Sequence, residues 1–290
     1  MPLDSAPSAV LVTGASRGIG LATARLLAQH GHRVFAGVRK PDSVSALVEE
    51  FPGAVVPLTV DLNEPETYRA AAGEIAEQVG AAGLAGLVNN AGYAVPAPLE
   101  FLPLEELRAQ MEVNLVGQLG VTQTVLPLLR AAGGRIVNVS SIGGLVAGPM
   151  LGAYHVSKFG LEAMSDSLRR ELRHLGVDVV VVEPGTVRTD IWATGRNHAD
   201  ALLAALPSQV TELYGHLADR VRADAAGAGE RGVAPEVAAA TIVRALTRRR
   251  PRARYLVGRD ARVARVVSRF PARFVDRLVA AAPDPARAAV

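Results

Sequence analysis

Short unbroken apolar runs alternate with amphipathic segments along most of the chain, and the first junction between them is built of glycine. Ala9-Val10-Leu11-Val12 is a continuous apolar run that enters the turn Thr13-Gly14-Ala15-Ser16-Arg17-Gly18-Ile19-Gly20. Residues 18–30 then carry Ile19, Ala22, Leu26 and Leu27 on one helical face. Further strand-like runs lie at 34–38, 55–60, 84–88, 135–139, 177–182 and 255–257. Helical patterns fill the gaps at 42–50, 64–79, 104–130 and 152–174. A strand that is apolar throughout is buried on both faces, and a helical crossover returns the chain parallel to itself. Pro57 cannot donate a ladder hydrogen bond, which sends the third strand toward an edge.

This pattern predicts an α/β fold, a Rossmann-type doubly wound parallel sheet of about seven strands with helices on both faces. With 49% of 290 residues apolar and 20% charged, the chain can supply a sizeable core. No linker composition interrupts it before about residue 190. A single domain over 1–258 is therefore expected, followed by a basic extension at 259–290. The segment 224–234, rich in glycine and alanine, reads as a flexible loop. No run of 18 apolar residues predicts a transmembrane helix, and the N-terminus lacks a signal-peptide pattern, so a cytoplasmic protein is expected. The absence of cysteine excludes disulfides and thiolate chemistry, and six scattered histidines show no ligand spacing, so no metal is expected.

Charge is unevenly placed. Residues 241–290 hold thirteen arginines and three aspartates, a net +10, which leaves −7 for residues 1–240. Within 259–280, arginine recurs every three or four residues with valine and phenylalanine between, a basic amphipathic helix interrupted near Pro271. Such a face packs on the domain or on a second subunit, or makes weak contact with an anionic membrane surface. Nucleic acid is not expected, because the tail lacks an aromatic platform and the main domain is acidic.

The glycine turn between a strand and a helix suits a dinucleotide. Gly14 permits the tight turn, Gly18 lets backbone approach phosphate, and Gly20 allows close helix packing. Ser16, Arg17 and Ile19 complete the turn at the helix N-terminus, where amides and dipole favour an anion. The second strand ends Gly37-Val38-Arg39-Lys40 without an acid. Arg39, helped by Arg17, offers a fork to a 2′-phosphate, which points to NADP(H); the alternative is that Arg39 stacks on adenine. Asp61, followed by Leu62, accepts from the adenine amino group or caps the next helix. Asn89-Asn90-Ala91-Gly92 ends the fourth strand with amides for both sheet and cofactor. Tyr154 and Lys158 stand four residues apart on one helix face, with Ser141 thirteen residues upstream of the tyrosine. The ammonium favours ionisation of the phenol, which then moves a proton to or from a substrate oxygen near neutral pH. Combined with a dinucleotide turn, this fits hydride transfer between a nicotinamide and a carbonyl or alcohol.

Together these motifs resemble the short-chain dehydrogenase/reductase family over residues 8–190, and 154–172 is similar to its hydroxysteroid and retinol dehydrogenase branch. The resemblance implies roles by position. Tyr154 is general acid for reduction or base for oxidation; Lys158 holds the nicotinamide ribose and lowers the phenol pKa. Ser141 bonds the substrate oxygen, and Asn114 holds a relay water behind Lys158. Pro184, Gly185, Val187 and Thr189 line the nicotinamide side. The same resemblance implies a homodimer or homotetramer, and a lid over the substrate at about 190–232. In that region Trp192, Leu202, Leu203, Leu206, Val210, Leu213, Tyr214 and Leu217 form an apolar stripe with few charges, as a bulky apolar ketone would require; core packing of the same stripe is the alternative. His155, on another helix face, reads as non-catalytic. The expected activity is NADP-dependent carbonyl reduction. Its rivals are an NAD-dependent alcohol dehydrogenase of the same fold, a non-catalytic nucleotide sensor, and a membrane- or partner-binding protein acting through its tail.

Overall fold

Val10 and Val12 belong to the core on one side of their strand and Leu11 to the core on the other, and all three are buried. That period of two is what a strand covered on both faces requires. A computed structural model describes residues 8–189 and 200–281 and places seven such strands in one sheet. They are β1 (Ala9–Thr13), β2 (Arg33–Val38), β3 (Val55–Thr59), β4 (Gly86–Asn89), β5 (Arg135–Val139), β6 (Asp178–Pro184) and β7 (Arg254–Val257). The order is β3-β2-β1-β4-β5-β6-β7, with every pairing parallel. Pro57 lies in β3, at the sheet edge.

One core lies beneath α1 (Gly18–Gln29) and a late helix, α8 (Pro235–Thr247), through Leu27, Ile242 and Leu246. The other lies beneath α3 (Pro65–Val79), α5 (Gly117–Ala132) and α6 (Gly152–Leu172), through Ile75, Leu129 and Leu168. Further helices are α2 (Ser45–Glu50), α4 (Leu104–Met111), α7 (Gln209–Arg231), α9 (Arg259–Val267) and α10 (Ala272–Ala281). Arg135 on β5 donates to Ala245 O, Leu246 O and Arg248 O, so a cation closes the carboxyl end of α8. After β3 the chain crosses back over β1 to begin β4. Connections therefore diverge between β1 and β4, and a crevice opens at their carboxyl ends.

Three segments differ from the sequence reading. Residues 104–130 were expected as one α-helix, but a π-helical turn, Glu112–Val116, separates α4 from α5. Residues 42–50 begin as a 3-10 turn at Pro41–Val44 before α2. The expected loop at 224–234 is helical as far as Arg231. Alanine, the strongest helix former, outweighs the glycines there, and Arg231 lies over Gly227 and within 3.7 Å of Asp224. Among the described residues no helix is long and apolar enough to cross a membrane.

Candidate active site

A single cavity of about 760 Å³ occupies the crevice. Its lining gathers candidates scattered over the sequence: Gly14, Ser16, Arg17, Gly18 and Ile19 from the first turn, Arg39 after β2, and Asp61 and Leu62 after β3. Asn90, Ala91 and Gly92 follow β4, Ser141 follows β5, and Tyr154 and Lys158 come from α6. Pro184 at the end of β6, with Gly185, Val187 and Thr189 after it, closes the ring.

Two candidates stand outside the lining. Gly20 faces the turn, where a Cβ would come within 2.2 Å of Gly14 O, so its role is packing. Asn114 is fully buried in the π-helical turn. Its Nδ2 donates to Tyr93 O (2.9 Å) and Ser157 Oγ (3.0 Å), and its Oδ1 accepts from Tyr93 N (3.1 Å). It fixes the loop after Gly92 from behind the cleft. Gln110, one turn earlier, accepts from Val95 N and donates to Tyr93 O. Widening a helix by one residue aims side chains that a regular helix would turn elsewhere, and such turns gather at functional sites.

The end of the cavity at the glycine turn is preorganised by backbone. Thr13 Oγ1 accepts from Asn90 N (3.0 Å) and Ala91 N (3.1 Å), and Asn90 Nδ2 donates to Thr13 O (3.0 Å). These bonds tie β1 to β4 at the point of divergence. Asp61 Oδ1 accepts from Asn63 N (3.0 Å), bracing its own turn rather than the helix that follows. The arrangement fits a dinucleotide on its own geometry. Gly14 and Gly18 have φ of 65° and 55°, which disfavour any side chain. A Cβ on Gly14 would meet Ala91 Cα at 2.9 Å. No side chain caps α1 and no acid occupies its first turn, so its amide donors face the cavity beside two arginines.

The reacting end is set by burial. Lys158 Nζ donates to Val139 O (2.9 Å) and lies 5.9 Å from the centre of the Tyr154 ring. Burial lowers the Lys158 ammonium to about 8, against the opposing pull of Glu162. Burial also pushes the Tyr154 phenol up, and its hydrogen bond with Ser141 offsets this only in part. The expected lowering of the phenol is thus corrected: desolvation outweighs the hydrogen bond with Ser141. The phenol rests protonated.

Ser141 Oγ also accepts from Gly143 N (3.0 Å), capping a short turn at Ile142–Gly144. His155 holds that loop from the other side. Its Nε2 accepts from Gly148 N (3.0 Å), so Nδ1 carries the proton toward Gly143 O (2.9 Å). The loop ends at Met150, which lines the cavity with φ of 66°. That conformation costs a side-chain-bearing residue energy and marks a position held by its surroundings. Met150 escaped the sequence reading, while His155, read there as non-catalytic, bonds the backbone of this loop. Glu183 escaped it as well. Fully buried on β6, it is 3.1 Å from Arg254 of β7, which also meets Glu162 and Asp166. Burial pushes the Glu183 carboxyl up to about 7.

At the mouth, Leu203, Ala218, Val221 and Ala225 give an apolar wall, largely from α7. Of the apolar stripe, Val210 is buried and Leu213 exposed, while Tyr214 donates to Glu100 and its ring meets Phe101. Trp192 lies outside the described residues. The expectation of few charges there needs correction: Arg222 lines the cavity, paired with Asp200 (3.1 Å) and Asp219 (2.9 Å).

Known proteins match this arrangement. A family model described as short chain dehydrogenase covers residues 8–200. The NADPH-dependent 3-dehydrocapnine reductase of Ornithobacterium rhinotracheale is 36% identical, over 85% of this chain and 87% of that protein. Retinol dehydrogenase 5 of Mus musculus is 36% identical, over 96% of this chain and 89% of its own. A short chain dehydrogenase from Burkholderia cenocepacia, solved in complex with NADP, superposes with a TM-score of 0.72 at 28% identity, over 94% of this chain and 97% of that one.

Proposed function

The chain belongs to the short-chain dehydrogenase family, in its hydroxysteroid and retinol dehydrogenase branch, and from that premise we propose that it is an NADP(H)-dependent reductase of bulky apolar carbonyl compounds. The observation that carries the cofactor choice is Arg39: an exposed guanidinium on the cavity wall at the end of β2, where a carboxylate would favour NAD. NADPH bound along the crevice would supply the hydride. Arg39 and Arg17 would hold its 2′-phosphate, and the amides of the first turn its pyrophosphate. Pro184, Gly185, Val187 and Thr189 would flank the nicotinamide.

Lys158 would bind the ribose hydroxyls through its ammonium. Ser141 would donate to the substrate oxygen and stabilise negative charge as it develops. Tyr154 Oη would give its proton to that oxygen as the carbonyl carbon is reduced. A phenol kept protonated by burial suits the reductive direction, because the acid is ready before substrate enters. The α7 wall would exclude water and favour a lipophilic group next to the reacting carbon. Supporting this reading are the NADP complex of a structural neighbour and the NADPH dependence named for one relative. A cytoplasmic NADPH pool would drive the same direction.

The test is a side-by-side titration of NADPH and NADH with wild type and Arg39→Asp. NADPH is expected to bind at least about tenfold more tightly, and the variant to lose that margin, as one charge-assisted pair would give. Equal affinities in the wild type would return the protein to an NAD-linked alcohol dehydrogenase.

A further inference from the structure

Five apolar side chains on α9, α10 and the turn between them face solvent. Val263, Val266, Phe270, Phe274 and Leu278 are each between 42% and 63% exposed. Phe270 and Phe274 pack on each other across the break at Pro271, with ring centres 4.9 Å apart. The pair therefore forms a ridge outside the body. Arg259, Arg262, Arg269, Arg273 and Arg277 flank this ridge, all exposed, and none makes an ion pair with a described residue. Contiguous exposed apolar surface rimmed by unpaired charge of one sign marks a contact site.

The geometry points to an anionic lipid surface as its occupant: α9 and α10 lie on the bilayer, with the phenylalanines and Leu278 among the acyl chains and the arginines at the headgroups. Charge decides between occupants. An amphipathic helix with arginine beside its apolar face binds an interface by buried area together with attraction to anionic lipid. A second copy meeting this face about a two-fold axis would set arginine against arginine. The acids on the two helices could not relieve that, since Asp260 turns inward to accept from Thr186 N (2.6 Å), leaving Asp276 alone.

Two contacts place the surface beside the cleft. Asp260 holds the loop after β6 that lines the cavity, and Arg220 of α7 donates to Val279 O of α10 (3.3 Å). A docked molecule therefore holds its cavity mouth about one helix diameter from the headgroups, ~10 Å. Docking itself does not depend on what the cleft reduces.

Flotation of the full chain with vesicles tests this. The wild type is expected to float with vesicles of phosphatidylglycerol and phosphatidylcholine, and to stay behind with phosphatidylcholine alone. Each arginine changed to glutamine among Arg262, Arg269, Arg273 and Arg277 should weaken partition about fivefold. The triple variant Phe270→Ser, Phe274→Ser, Leu278→Ser should abolish flotation while leaving the melting temperature and NADPH binding unchanged, since these side chains touch neither core nor cavity. Failure of the wild type to float on the anionic vesicles overturns the proposal. So does flotation unaltered in the serine variant, which would mean charge alone. A wild-type mass in sedimentation that halves in the serine variant, without lipid binding, would assign the face to a second copy.

Discussion

Replacing Tyr154 by phenylalanine would keep the ring 5.9 Å from the Lys158 ammonium and remove only the hydroxyl that meets Ser141. Steady-state kinetics should show kcat/KM for carbonyl reduction falling about 10³-fold, the scale of a general acid, with cofactor affinity preserved. The pH profile follows from Lys158. Its ammonium is held at about 8, below the ordinary 10.5, so it is present below pH 8 and lost as pH rises through that value. Reduction by the wild type should therefore decline above pH 8, and a flat profile to pH 9.5 would contradict this. Glu183 acts on stability rather than on turnover. Its folded value, about 7, exceeds the ordinary 4.5, so between those pH values the folded chain keeps a proton that the unfolded chain releases. Stability contributed by Glu183 thus falls as pH rises through that window. In calorimetry, Glu183→Gln should flatten the dependence and raise Tm at pH 8 by about 5 °C. Tyr154, Lys158 and Ser141 were legible because their spacing along one helix and strand end is written in the chain. Glu183 and its partner Arg254, 71 residues apart, were not, because their meeting depends on β6 pairing with β7.

Two glycines in helices separate the demands of an element from those of its neighbours. Gly20 sits in the first turn of α1, where a Cβ would come within 2.2 Å of Gly14 O and 2.5 Å of Asn90 Nδ2. Gly73 sits inside α3 with nothing within 4 Å. Gly20→Ala should lower stability by about 1–3 kcal/mol or more, the cost of overpacking, and weaken NADPH binding with it. Gly73→Ala should stabilise by about 0.5–1 kcal/mol in denaturant titration. Strands and the first turn were readable because apolar runs and glycine placement are local signals. The π-helical turn was not. Nothing in Glu112-Val113-Asn114-Leu115-Val116 announces it, and the bonds that occupy Asn114 run to Tyr93 and Ser157, on other segments. Nor was the reach of α7 to Arg231, where a glycine-containing stretch follows helix because alanine and a distal arginine support it.

At the scale of the whole molecule, Val116, Val156 and Phe159 are 43–50% exposed on the neighbouring π-helical turn and α6, opposite the sheet. Such a patch suits a two-fold contact between copies. Light scattering should give twice the chain mass for the wild type, and Phe159→Glu should shift it to the monomer without changing Tm by more than ~2 °C, as for a surface substitution. The order of the sheet was readable as a class but not strand by strand, since apolar runs fix that strands are buried and not which neighbours they take. Asp260 carries a consequence of another kind. Its carboxylate sits where a Cβ on Gly185 would collide with it at 2.0 Å, and it accepts the amide of Thr186. The C-terminal helices can therefore be neither trimmed nor grafted as a cassette: a lineage that shed them after Gly258 would also have to find another acceptor for the loop after β6, and one that gained them would do so with the glycine at 185 already in place.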